Sequence, residues 1–212
     1  MKHYYAARAA EYDKVYAKPE RQADLRRIEQ WLPSVLEGRS VLEVACGTGY
    51  WTQFFAPHCP RVVAVDSASE TIQVAKSRVP PEKVEFVVGD AYNLPPQRAP
   101  LSAGFAGFWW SHIPHARVGK FLRSFHAALE PGAPVVLLDN RFVPGSSTPI
   151  TEQDAEGNTY QTRLLADGTS HRVLKNFPSK LELLAAVSPF ATALRYHEWE
   201  YYWALEYATT SP

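Results

Sequence analysis

The sequence predicts an α/β fold built on a doubly wound, mostly parallel sheet. Three observations carry this. Five short apolar runs recur at Val41–Ala45, Arg61–Asp66, Val84–Val88, Gly104–Trp110 and Val135–Asp139. Segments with helical spacing separate them, and strands alternating with helices are the signature of βαβ units. The first run breaks into Gly47-Thr48-Gly49, a turn that needs residues free of a Cβ obstacle.

Length and composition set the bounds. The 212 residues, 46% of them hydrophobic, suit one globular domain with a full core. Lys+Arg and Asp+Glu both total 22, so the basic excess of a nucleic-acid or anionic-membrane binder is missing. Cys46 and Cys59 lack metal-ligand spacing, and a reduced, cytoplasmic compartment is expected. No run approaches the ~18 apolar residues of a membrane span. Met1 to Tyr5 leads into charged sequence rather than a signal-peptide core.

In chain order, the first segment, Tyr4 to Lys18, is tyrosine-rich (Tyr4, Tyr5, Tyr12, Tyr16) and reads as a short helix or mobile arm. It packs as an amphipathic segment or closes as a lid over a ligand. Pro19 suits a first helical turn. Leu25, Ile28, Trp31, Leu32, Val35 and Leu36 then share one helix face, which Gly38 ends. A helix from about Tyr50 to Ala56 follows the glycine turn. Ile72, Ala75 and Val79 mark the buried face of the next helix, and Val118, Phe121, Leu122, Phe125 and Leu129 that of the fourth.

The last third differs. Pro144 to Asn158 reads as a polar loop, and Thr159–Leu165 with His171–Lys175 as a hairpin around Ala166 to Thr169. Pro178 to Glu182 opens a helix with a capping box. Ala193–Glu198 and Tyr201–Tyr207 alternate as a closing antiparallel hairpin at a sheet edge, which brings the sheet to seven strands.

Right-handed crossovers place the carboxyl ends of the five parallel strands along one edge. Glu43, Gly47, Asp66, Asp90, Ser111, His112 and Arg141 would share it. A buried strand, glycine turn and helix start form a nucleotide-binding corner. Glu43 disfavours a phosphate there and favours a ligand with an amino group or other positive charge. Asp66, 19 residues after Gly47 at the tip of the second strand, is placed to accept hydrogen bonds from ribose hydroxyls. Its other reading is helix capping, since Ser67-Ala68-Ser69-Glu70 fits a capping box. Asp90, just past the third strand beside Ala91, can accept from an adenine amino group. The position three after Gly49 is Thr52, so the G-x-G-x-x-G of a dinucleotide dehydrogenase is not met.

These residues resemble the class I S-adenosylmethionine-dependent methyltransferases of small-molecule type. The family's first motif is an acid, any residue, Gly or Ala, any residue, Gly, any residue, Gly. It stands here as Glu43-Val44-Ala45-Cys46-Gly47-Thr48-Gly49. Asp66 matches the ribose-binding acid, Gly89-Asp90-Ala91 the adenine-contacting stretch, and Leu129-Glu130-Pro131-Gly132 the turn before the fifth strand. The closing hairpin matches the family's reversed last strand. The resemblance covers roughly residues 35 to 208 and departs from the usual pattern at Ala45, where many members have glycine, and at Pro134. It implies a Rossmann-like methyltransferase fold with S-adenosyl-L-methionine as cofactor. Tyr12, Glu43, Ala45 to Gly49, Asp66, Ser67, Asp90, Ala91, Trp110 and Ser111 are its expected contacts. Within this single domain, residues 1–37 form an arm or lid, 38–142 the cofactor core, and 143–212 the acceptor-side insertion and closing hairpin.

The expected reaction is methyl transfer by in-line displacement to an O or N atom of a small polar molecule. A non-catalytic cofactor-binding or partner subunit of the same fold is the alternative. Histidine suits removal of an acceptor proton, so His112 and His115 are candidate bases, or else line the helix start. Arg141 is a candidate partner for an acidic acceptor group, or a plain surface residue. Tyr5, Tyr160 and Arg172 are further acceptor-side candidates, beside Arg163 and His171 in the hairpin. No Asn/Asp-Pro-Pro-Tyr/Phe signature follows the fourth strand and no Pro-Cys nucleophile is present, which argues against DNA substrates. Nucleic acid and membrane are not expected partners, and the chain is expected as a monomer or homodimer.

Overall fold

The computed structural model describes residues 9–97, 99–165 and 168–210. Strands β1 (Ser40–Val44), β2 (Arg61–Asp66), β3 (Val84–Val88), β4 (Ala103–Gly107), β5 (Pro134–Asn140), β9 (Ala191–Glu198) and β10 (Tyr202–Thr209) form a seven-stranded sheet. Between β5 and β9 the chain adds β6 (Glu152–Gln153), β7 (Thr159–Leu164) and β8 (Ser170–Leu174), a separate three-stranded antiparallel sheet. The large sheet runs β3-β2-β1-β4-β5-β10-β9, and only β10 is antiparallel to its neighbours.

The apolar runs form central strands because both faces are covered. Successive residues point to opposite sides. Val62 and Ala64 enter one core with Leu25, Ile28 and Phe55, whereas Val63 and Val65 enter the other with Phe121, Leu122 and Phe125. The helix Gln22–Leu36 and the short helix Thr52–Phe55 cover the first face. The helices Val118–His126 and Lys180–Val187 cover the second. The Lys180–Val187 helix starts at the expected capping box, where Ser179 Oγ accepts from the Glu182 amide and the Glu182 carboxylate accepts from the Ser179 amide.

Several features differ from expectation. Strand β4 ends at Gly107, not Trp110. Phe108 makes a last backbone bond to Leu138 at 2.7 Å and then takes φ 56°, which turns Trp109 and Trp110 out of strand geometry. Strand β3 is the sheet edge, so Val88 is exposed rather than buried. The loop expected over Pro144 to Asn158 contains β6, paired to Thr159 and Tyr160. The capping box expected at Ser67–Glu70 does not form. The helix there, Ser69–Lys76, starts after Ala68 without a side-chain cap.

The small sheet is pinned against the carboxyl ends of the large one. Asn176, just beyond β8, donates its amide to the Ser111 carbonyl at 2.8 Å and its side-chain nitrogen to the Ile113 carbonyl at 3.0 Å. The three-residue turn Pro19–Arg21 anchors the amino-terminal end of the Gln22–Leu36 helix near the same place. Arg21 donates to Ser146 Oγ at 2.9 Å and Asn140 Oδ1 at 3.0 Å.

Candidate functional site

Two cavities lie along the carboxyl edge of the parallel strands and share Phe108 and His112. The smaller, about 140 Å³, is built by the ends of β1 to β4. Ala45, Gly47, Asp66, Ser67, Asp90, Ala91 and Trp109 line it. Its β1 side requires a chain that doubles back. Ala45, Gly47 and Gly49 all have positive φ (60°, 56° and 73°), and a Cβ on Gly49 would lie 3.0 Å from Ala75 Cβ. Two residues that are not glycine, Ala45 and Phe108, hold left-handed backbone where they line this cavity, just past the neighbouring strands β1 and β4, a conformation that persists only where the surroundings impose it.

Asp66 is held at the cavity by backbone donors: Gly47 N–H to Oδ2 at 2.8 Å and Ala68 N–H to Oδ1 at 2.9 Å, with Thr71 Oγ1 at 3.3 Å. The carboxylate therefore ties the glycine turn to the next helix as well as facing the cavity. Burial raises its pKa, and the amide donors oppose that rise. Asp90 lines the cavity and accepts the Tyr92 amide at 3.0 Å. Apart from His112 the ionisable lining residues are these two acids, so the chemistry suits a ligand rich in donors and positive charge, not a pyrophosphate. Trp109 also lines the cavity, its Nε1 buried without an acceptor among the described residues.

Several expected contacts need correction. Glu43 faces the first core rather than the cavity. It is 2% exposed and accepts the Thr52 hydroxyl at 2.7 Å, and burial pushes its pKa up to about 8. Cys46 is buried, its amide bonded to the Val65 carbonyl, and burial drives its thiol well above the usual range. Thr48 donates to Asp13 Oδ1 at 2.7 Å, and Asp13 also pairs with Arg78. Gly49 packs on the helix Ser69–Lys76. Trp110 packs against Trp203 in the core, and its neighbour Trp109 takes the cavity wall instead. Ser111 lines neither cavity and accepts from Lys175.

The Thr48 contact shows where the amino-terminal segment goes. Residues Ala9–Tyr16 form a 3-10 helix over the glycine turn, fixed by Asp13 and by Tyr16, which stacks on Tyr50 with ring centres 3.5 Å apart. Tyr12 belongs to this helix, and Tyr5 lies outside the described residues.

The larger cavity, about 490 Å³, is assembled from distant parts of the chain. Lys14, Lys18 and Arg21 come from the amino-terminal segment, Asn140 from the end of β5, Ser146 to Thr148 from the following loop, Gln161 and Arg163 from β7, and Lys175 from the end of β8. Sequence reasoning did not single out most of these. Two signals were available: basic residues four and three apart at positions 14, 18 and 21, and the period-two pair Gln161 and Arg163 on one face of a strand.

At the cavity floor Lys175 is 5% exposed and donates to Ser111 Oγ at 2.6 Å and Asp139 Oδ1 at 3.1 Å. Asp139 is fully buried and also accepts the Ser111 amide at 2.8 Å. Burial, the largest influence, would raise the Asp139 carboxyl, but Lys175 together with the other groups around it, the Ser111 and Asn140 amides among them, holds it below its ordinary value. Burial lowers the Lys175 ammonium, and Asp139 opposes that.

His112 stands between the cavities. Its Nδ1 lies 2.7 Å from the Leu174 carbonyl, which can only accept, so Nδ1 carries the proton. Burial, reinforced by Lys175, pushes its pKa well below the usual value and keeps the ring neutral.

The other acceptor-side candidates fall elsewhere. His115 is exposed and outside both cavities, its amide donating to Asn158 Oδ1. Arg141 turns to the β9–β10 hairpin, bonding the Trp199 carbonyl at 2.6 Å and pairing with Glu198 at 3.1 Å. Arg172 covers the Tyr160 ring and pairs with Glu152, on the side of the small sheet away from the cavity. The reason is register. Tyr160 and Arg172 point opposite to Gln161 and Arg163, so the intended strand supplied its other face.

Residues 41–132 match the family model described as a methyltransferase domain. A complex of DhpI with SAH superposes with a TM-score of 0.81 and 28% identity, covering 99% of this chain and 95% of that one. The match over residues 41–132 and the whole-chain superposition give this chain the fold of the S-adenosylmethionine-dependent methyltransferases. The chain also resembles a DhpI–SAM–HEP complex, with a TM-score of 0.78 and 27% identity over 97% of this chain and 94% of that one. Curated relatives share shorter stretches. A malonyl-[acyl-carrier protein] O-methyltransferase of Priestia megaterium is 33% identical over 92 residues, 42% of this chain and 34% of the relative. A magnesium-protoporphyrin O-methyltransferase of Rhodobacter capsulatus is 47% identical over 62 residues, 28% of each. The chain thus matches about a third of the length of these relatives. Among the described residues no helix is long and apolar enough to cross a membrane, and no cluster of side chains could hold a metal ion.

Proposed function

We propose that the protein transfers a methyl group from S-adenosylmethionine to an O or N atom of a small molecule bound in the larger cavity. One observation carries the reading. The cavity lined by the family's motif residues opens, at Phe108 and His112, beside a second cavity large enough for a metabolite. A protein that only held the cofactor would have no use for the second.

The residues of the smaller cavity fit the cofactor. Asp66 would take the ribose hydroxyls, its carboxylate retaining acceptor capacity beside the amides that hold it. Asp90 would take the adenine amino group. The cofactor supplies an activated methyl group and a neutral leaving group, so the protein's task is alignment and exclusion of water. The Ala9–Tyr16 segment is fixed to the glycine turn through Asp13 and Thr48, and its Lys14 and Val15 line the larger cavity. His112, fixed through Nδ1 by the Leu174 carbonyl, stands at the junction with Nε2 as its acceptor nitrogen.

Calorimetry with S-adenosylhomocysteine should give saturable binding at micromolar concentrations. Incubation of the protein with methyl-labelled cofactor and a metabolite extract should label a small molecule. No heat in the first experiment overturns the reading.

A further inference from the structure

The larger cavity is basic in a protein whose charges balance, 22 against 22. Lys14, Lys18, Arg21, Arg163 and Lys175 line it, and among the described residues no aspartate or glutamate does. The partners of these cations are mostly neutral oxygens. Arg163 donates through Nη2 and Nε to Gln161 Oε1, at 2.7 and 3.2 Å. Arg21 uses Ser146 Oγ and Asn140 Oδ1, and Lys18 uses the Ser146 carbonyl. Such oxygens aim a cation without cancelling it.

Two acids stand nearby. Asp139 lies beneath the floor against Lys175. The exposed Glu20 accepts from Ser146 Oγ at 2.7 Å, outside the cavity. Burial and the neighbouring Arg21 push the Lys18 ammonium below its ordinary value, and Arg163 adds to this, as expected where like charges are gathered. Gathering them costs stability in the empty protein, and a bound anion would reverse that cost.

We propose that the methyl acceptor carries a compact oxyanion, of phosphate or carboxylate type, held by Lys18, Arg21 and Arg163 with Lys175 at the cavity floor. The planar guanidinium groups suit such an oxyanion because each can present two parallel N–H bonds. Thr148 lines the same cavity and adds a hydroxyl group. The proposal rests on the methyltransferase reading and narrows its substrate class.

The test uses the whole chain saturated with S-adenosylhomocysteine. Inorganic phosphate, acetate and tetramethylammonium are titrated separately by calorimetry at low ionic strength. An oxyanion should bind, more weakly as salt rises, and tetramethylammonium should not. Phosphate binding tighter than acetate assigns the phosphate type, and the reverse order the carboxylate type. Arg163→Gln and Lys18→Gln should each weaken the preferred oxyanion by about tenfold or more, the loss of a charge-assisted bond. Arg163→Lys should keep part of the affinity, and cofactor-product binding should stay unchanged in all three. Cofactor-product binding without oxyanion binding, or oxyanion binding indifferent to both Gln variants, overturns the proposal. Oxyanion binding without cofactor-product binding overturns the methyltransferase reading and leaves the anion site standing.

Discussion

The two cavities meet at Phe108 and His112 but are made in different ways and carry opposite charge. The smaller takes its acids from the tips of consecutive strands, each a few residues from the turn that follows it. The larger gathers cations from the amino-terminal segment, β7 and the end of β8, more than a hundred residues apart. A sulfonium cofactor suits the acidic cavity and an anionic acceptor the basic one. The pairing keeps unlike charges on the two reactants and separates the two binding tasks between independent parts of the chain.

Four substitutions test that separation. The largest effect is expected at the floor of the basic cavity. Lys175→Met leaves Asp139 buried and unpaired, and should cost about 3–5 kcal/mol of stability. Pairing it with Asp139→Leu should recover much of that loss in thermal unfolding. A single variant as stable as the parent would mean that the pair is not the keystone of this cavity.

Asp66→Ala acts on the other side. It should weaken S-adenosylhomocysteine by roughly 1–3 kcal/mol, through unpaired ribose hydroxyls and a loosened glycine turn, while phosphate affinity stays as it was. Equal weakening of both ligands would break the independence of the two cavities.

Glu43, buried behind β1 against Thr52, gives a pH signature of its own. Its carboxyl titrates near 4.5 in the unfolded chain and is raised to about 8 by burial in the folded one. Between those values the folded state keeps a proton that the unfolded state releases, so stability falls as pH rises through the window. Glu43→Gln removes this slope. In denaturant melts the two proteins should differ least at the acid end of the window, with the variant gaining toward pH 8. Parallel profiles would show that Glu43 is ionised in the fold.

The smallest effect is at Ala45, where φ is 60°. Ala45→Gly should relieve left-handed strain of about 1–2 kcal/mol, less the extra chain entropy of glycine, and leave a gain of about 1 kcal/mol or below in melting experiments. A loss of stability would show that the alanine methyl group packs well enough to outweigh the strain.

The sequence showed the acidic side well and the basic side poorly, and the two differ in range. Asp66, Asp90 and the glycine turn announce themselves because strand, turn and helix follow one another in the chain. The apolar runs likewise fixed β2 and β3 to the residue. Arg141, His115 and Arg172 were misplaced because closeness to a strand end does not say which way a side chain leaves it. Arg141 went to the closing hairpin, and Arg172 to the far face of its sheet. Glu43 keeps its motif position but faces the opposite core from Val44, with the Thr52 hydroxyl as its partner.

By itself the sequence determined the alternation of strands and helices, the carboxyl edge where a site must lie, and the two acids that line the smaller cavity there. Hydrophobic period and turn chemistry act over a few residues and leave a readable trace. Only the tertiary structure decided that five cations from remote segments share one cavity, that Lys175 sits over a buried Asp139, and that Phe108 turns the chain at the junction. Those outcomes depend on where the amino-terminal segment and the small sheet pack against the strand ends, and packing between distant segments leaves no local pattern.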